Sequence, residues 1–147
     1  MLETLRRIVQ EVNSAETLAE ASDIIVFRVK EAMGIDACSV YQRVPDTEIL
    51  SLTATDGLRP GSVGKVELDI HSTLTGLVAE KAEPINLPDA SEHPRYCYYP
   101  ETGEERYHAF LAVPILLQRK ILGVLVVQQE EKRQFDEDHV AFLVTLA

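Results

Sequence analysis

The apolar positions at the start of the chain recur at helical spacing. Leu2, Leu5, Ile8, Val9 and Val12 form one stripe, which predicts a helix over residues 2–12. Ser14 can cap a second helix running to about Met33, with Leu18, Ala21, Ile25, Val29 and Met33 as its buried face and Gly34 as its stop. The period then falls from about 3.6 to about 2. "ACSVYQRV" and "EILSLTAT" alternate, which predicts two strands joined by a turn around Pro45-Asp46. Strict alternation puts Cys38, Val40, Leu50, Leu52 and Ala54 on one face, and Ser39, Tyr41, Ser51, Thr53 and Thr55 on the other. "GLRPGSVG" reads as a loop, "KVELDI" as a third strand, and "STLTGLVAEKAE" as a short helix starting near Ser72 or Thr73. "INLPDASEHPRY" is broken by Pro88 and Pro94 and is expected to be irregular. "AFLAVPILL" and "ILGVLVVQQ" flank "QRK" and predict a hairpin of two long central strands, with Pro114 requiring a bulge or an unpaired ladder position. "FDEDHVAFLVTLA" opens a last helix that Asp136 can cap, with acidic residues suited to the dipole of its first turn.

Helices, strands, helix, strands and helix in this order predict an α+β fold. An antiparallel sheet should carry the terminal helices on one face and the middle helix with the irregular segment on the other. The 147 residues amount to one domain, and the apolar helix reaching Ala147 has no stop signal, so a longer protein is expected to continue beyond it. The formal net charge of −10 argues against nucleic acid or an anionic membrane as partner, since phosphate contacts need a basic face. Cys38 and Cys97 show neither metal-ligand spacing nor a disulfide framework, which fits a reduced, cytoplasmic protein. No cofactor or metal is expected.

The pieces "CSVY", "ATDG", "GLVAEKAEPINLPDASEHPRY", "AFLAVPI", "LGVLVVQQ" and "FDEDHVAFL" follow one another in an order that resembles the GAF family of small-molecule sensor domains. Within that family, "AEPINLPDA", "EERYHAFLAVPI" and "FLVTLA" are most similar to the N-terminal sensors of nitrogen-branch phosphoenolpyruvate–protein phosphotransferases. The resemblance implies a six-stranded or similar antiparallel sheet with a ligand pocket under a short helix and loop. It also implies downstream phosphotransferase domains in the same chain, which carry the phosphorylated histidine. His71, His93, His108 and His139 are then not that residue, and this domain is regulatory, with no catalytic residue of its own. Glutamine or 2-oxoglutarate is the implied signal.

The sequence departs from the family in three places. Thr73 stands where the pocket helix has its first glycine, although Gly76 remains. The polar residue that cyclic-nucleotide binders carry on the last strand is not found in "VLVV". Phe135, Asp136 and Glu137 lack the asparagine that accompanies them in those binders, and no cysteine matches the bilin attachment site of phytochrome-type members.

Given the resemblance, the hydroxyls of Ser39, Tyr41, Thr53 and Thr55 either face a polar ligand or line a partly solvated sheet face. Buried hydroxyls need partners, whereas threonines also simply suit strands. Asp89 either accepts an amine or amide N–H from a ligand or makes an Asx-turn. Tyr96, Tyr98 and Tyr99 wall a pocket or pack the irregular segment onto the sheet. Arg106 offers a planar pair of N–H donors to a carboxylate, or forms a surface ion pair with Glu104 or Glu105. Thr75 at the middle helix's N-terminus, Tyr107 and Phe110 complete the candidate set.

Other functions remain in view. No nucleophile elbow, phosphate-binding glycine loop or HExxH pair is present. A GAF-type free methionine sulfoxide reductase would need an activated thiolate and a resolving partner, but Cys38 reads as an inert core residue. A homodimer through the terminal helices, pairing Leu2, Leu5, Val9 and Val12 with "VAFLVTLA", would make the domain an interaction module with a vestigial pocket.

Overall fold

The computed structural model describes residues 2–97, 102–103 and 106–147, apart from the Leu2 side chain. Tyr98, Tyr99, Glu104 and Glu105 therefore lie outside the described residues.

Two helices come first, α1 (Leu2–Ser14) and α2 (Leu18–Met33). Ser14 does not start the second helix. It ends the first, where its hydroxyl donates to the Glu11 carbonyl at 2.7 Å. Thr17 is the cap, accepting the Glu20 N–H at 3.1 Å, so the break falls at residues 15–17. Gly34 closes α2 as expected, in the left-handed region at φ 62°, donating to the Lys30 carbonyl.

Six strands follow: β1 (Ala37–Arg43), β2 (Ile49–Asp56), β3 (Glu67–Asp69), β4 (Ile85–Leu87), β5 (Ala109–Leu117) and β6 (Lys120–Gln129). Helix α3 (Leu74–Lys81) stands between β3 and β4, and α4 (Glu137–Leu146) ends the described chain. The sheet order is β3-β2-β1-β6-β5-β4, with every neighbour antiparallel. β4 corrects the expectation that residues 85–96 are wholly irregular. Its three residues add an edge strand to β5 before Pro88 removes the next N–H. The hairpin at residues 118–119 turns through two positive-φ residues, Gln118 and Arg119, as two-residue hairpin turns do. The irregularity expected from Pro114 falls between Ile115 and Leu116.

Each face of the sheet has its own core. On one side, α1, α2 and α4 cover Cys38, Val40, Ala54, Leu111, Val113, Leu125 and Val127. On the other, α3 and the segment after β4 cover Tyr41, Leu50, Leu52, Phe110, Ala112, Val124 and Val126. The chain thus splits the predicted β2 face. Register along β1 and β2 runs Val40↔Ala54 and then Tyr41↔Leu52, leaving Thr53 as an extra residue. This bulge reverses the parity of β2. Leu50 and Leu52 therefore join Tyr41 rather than Val40, and both are fully buried. Burial of a leucine side chain stabilises by roughly 1.5–3 kcal/mol, which offsets the ladder bond that a bulge loses.

Among the described residues no helix is long and apolar enough to cross a membrane, and no group of His, Cys, Asp or Glu could hold a metal ion.

Candidate functional site

A cavity of about 30 Å³ lies between the sheet and the α3 side of the fold. β1 supplies Tyr41, β3 Leu68, β5 Phe110 and β6 Gln128; the N-terminal turn of α3 supplies Thr73, Leu74 and Thr75; the segment after β4 supplies Tyr96 and Cys97. The close seating of α3 depends on Gly76, because a Cβ there would overlap the Ile70 backbone. Thr73 is the helix cap. Its hydroxyl donates to the Asp69 carbonyl at 2.7 Å and accepts the Gly76 N–H at 3.0 Å, so its bonding is complete.

Thr75 and Gln128 differ from Thr73. They are 8% and 4% exposed, and neither side chain forms a hydrogen bond to another described residue. Their polar atoms share a chamber with two tyrosines and a phenylalanine. Among the described residues no charged side chain lines it. The nearest cation in sequence, Arg95, is engaged in holding the roof. It donates to the Ile70 carbonyl at 2.8 Å and pairs with Glu80 at 3.3 Å, while its buried Nε has no partner.

Glu80 also accepts from His71, at 2.6 Å, and His71 reaches Glu48 at 3.2 Å on its other nitrogen. The Glu80 hydrogen bond, followed by the nearby carboxylates, raises the His71 pKa above its ordinary value. Hydrogen bonds from His71 and then Arg95 lower that of Glu80. An ionic chain from Glu48, just before β2, through α3 thus ends on the roof.

Of the ten candidate residues, Tyr41, Thr75, Tyr96 and Phe110 meet at the cavity. The others are placed elsewhere. Ser39 and Thr55 bond each other at 2.9 Å, and Thr55 also accepts the Leu58 N–H. Thr53, the bulge residue, donates to the Val40 carbonyl at 3.2 Å. Asp89 makes the Asx-turn, accepting from the Ser91 N–H at 3.1 Å and hydroxyl at 2.6 Å, with Lys132 at 3.3 Å. These bonds, the Ser91 hydroxyl foremost, hold its carboxyl below the usual carboxylate range. Arg106 stacks on Tyr107 at 4.9 Å, and both side chains donate to the Gly57 carbonyl.

Gln128 was not among the candidates. The polar residue sought in "VLVV" stands just beyond it, in phase with Val124 and Val126, whose side chains face the same way. Carrying the strand's alternation two residues further would have found it.

The thiols are on opposite sides of the sheet. Cys38 is buried under the helices, where burial pushes its pKa far up, while Cys97 lines the cavity. They cannot act as nucleophile and resolving partner in this arrangement.

A family profile for the GAF domain matches residues 17–147. The chain belongs to the GAF domain family. It is 49% identical over its full length to the phosphoenolpyruvate-dependent phosphotransferase system proteins of Escherichia coli and Salmonella typhimurium, covering 20% of each. It thus spans about a fifth of the length of the curated relatives it matches. Among solved structures, the GAF domain of a phosphoenolpyruvate-protein phosphotransferase from Coxiella burnetii is 48% identical with a TM-score of 0.93, covering 99% of this chain and 86% of that one. The corresponding Acinetobacter domain is 43% identical with a TM-score of 0.88 and the same coverages. A free methionine-R-sulfoxide reductase from Neisseria meningitidis shares the fold, with a TM-score of 0.83 at 20% identity over 99% of this chain and 82% of that one.

Proposed function

We propose that this chain is the small-molecule-sensing domain of a longer cytoplasmic phosphotransferase, and that occupancy of its cavity adjusts phosphotransfer by the domains beyond it. Thr75 and Gln128, two largely buried polar side chains that line one chamber without a hydrogen-bond partner among the described residues, carry this reading. Their polar atoms keep access to the chamber, so a ligand that bonds both would take the place of water there. The kinship with phosphotransferase GAF domains supplies the regulatory context.

The lining also bears on which nitrogen metabolite would suit it. A hydroxyl, a carboxamide and aromatic walls suit a neutral hydrogen-bonding end such as the side-chain amide of glutamine. A dicarboxylate such as 2-oxoglutarate would bring two carboxylates to a lining with no cation among the described residues, whereas glutamine brings one carboxylate together with its own ammonium group. The cavity as it stands holds one or two waters at about 30 Å³, so entry requires the roof to move. Thermal unfolding tests the proposal. Saturation at about 100 times Kd adds about 2.7 kcal/mol, or about 5–10 °C in a chain of this size. Glutamine should give that shift and 2-oxoglutarate should not. An unchanged melting temperature with millimolar glutamine and related amino acids would remove sensing from this domain.

A second reading is assembly between copies, with the cavity vestigial. The exposed Val9 on α1 and Val144 on α4 favour it, since these terminal helices carry apolar side chains outside the core. Sedimentation that finds only monomer would exclude it.

A further inference from the structure

At the hairpin end of the helix-covered face lies an apolar groove of about 880 Å³, much larger than the cavity on the other side. Leu18, Ile25, Ile115 and Leu122 form its walls, and Leu18 is 64% exposed. Arg119 and Lys120 stand on its rim, and neither forms an ion pair with a described residue. Arg43 on the same rim is already paired with Glu48, and Asp46 is the one acid among the described lining residues. On a chain of net charge −10, this is a local excess of positive charge beside apolar surface.

The same molecule carries a matching surface. Along α4, Glu137, Ala141 and Val144 follow at i, i+4 and i+7 and are all exposed. Asp138 adds a second acid in the first turn. Neither Glu137 nor Asp138 has an ion-pair partner among the described residues. The helix thus presents an acidic end and an apolar ridge, while the groove presents a basic rim and apolar walls.

Resting on the assembly reading, we infer that the groove is the docking site for α4 of a second copy of this chain. A two-fold axis would make the contact twice, each copy lending its helix and receiving its partner's. Apolar burial supplies the affinity, and the charges fix orientation and register.

A charge-swap experiment tests this. The variants R119E/K120E and E137K/D138K alter exposed side chains only, and Arg119→Glu exchanges one unbranched side chain for another at the positive-φ turn position. Circular dichroism should show both folded. The wild-type chain should sediment as a dimer, and each variant alone should dissociate about tenfold or more readily, because each sets like charges against each other. An equimolar mixture should re-form dimers, since both contacts in the mixed pair are again opposite in charge. A wild-type monomer at every attainable concentration would overturn assembly altogether. A dimer indifferent to both charge variants but dispersed by Val9→Asp would overturn this groove and leave α1 as the interface. Variants that remain apart when mixed would overturn the pairing of rim and helix.

Discussion

Replacing Gln128 by leucine should make the ligand-free domain more stable while removing its response to ligand. Gln128 is 4% exposed and bonds no described residue through its side chain. Leucine has nearly the same reach and no polar atoms, and its neighbours Leu68, Leu74 and Phe110 are apolar. The full cost of a completely buried, unpartnered amide is about 1–3 kcal/mol, and the Gln128 amide keeps access to the chamber. A cavity of about 30 Å³ admits one or two waters, which recover part of that cost. The net gain should therefore fall near the lower end, about 1 kcal/mol, which is about 2–4 °C in melting temperature. Thr75→Val removes the other unpartnered group and should act in the same direction. Thermal unfolding followed by circular dichroism, with and without glutamine, separates the two effects. A loss of about 1 kcal/mol or more in the Leu variant would show that the amide is already well bonded. The chamber would then need no ligand to satisfy its polar lining. Retaining a stability cost at one position is expected where function selects the residue, since most mutations at a purely structural site destabilise.

Further outcomes follow from the titrating groups. His71 has a folded pKa raised above 6.5, chiefly by its hydrogen bond to Glu80. Its contribution is fully present below the unfolded value and lost as pH rises through the folded one. The wild type should accordingly decline in melting temperature across neutral pH and His71→Gln should lose that decline, and parallel profiles would refute the assignment. For the thiols, an alkylating reagent should label Cys97 in the native chain and reach Cys38 only after unfolding, because Cys38 is buried and Cys97 exposed. Glutamine should slow labelling of Cys97, which lines the cavity; an unchanged rate at saturation would place the ligand elsewhere.

Much of the architecture could be read from periodicity because most elements obey one pattern from end to end. The shift from helical to alternating spacing at Gly34, the cap at Asp136 and the paired central strands all have local causes within a few residues. Two features did not. Three residues of β4 are too few to establish a period, and their strand character comes from pairing with β5. The break between the first helices was displaced because Ser14 and Thr17 can both cap. The choice went to Thr17, which leaves Ser14 free to bond back to Glu11.

The site was legible only where alternation survived into three dimensions. Tyr41 and Phe110 lie on strands whose parity is intact up to the cavity. Ser39 and Thr55 also face that side, but adjacent hydroxyls across a strand pair satisfy each other, and Thr53 is consumed by its own bulge. Composition could not reveal this, because a hydroxyl's availability depends on its cross-strand neighbour rather than on its own face. Arg106 and Asp89 were taken by neighbouring backbone and side chains for the same reason. What distinguishes Thr75 and Gln128 is the absence of any such neighbour among the described residues. That absence has a mechanical consequence. A chamber too small for an amino acid, lined by groups that want partners, lies beneath a segment fastened by Arg95 to Ile70 and Glu80. On the proposed sensing role, ligand entry would strain or release that fastening and so couple binding to the position of the roof, and the ion pairs of His71 with Glu80 and Glu48 would link the roof to the start of β2.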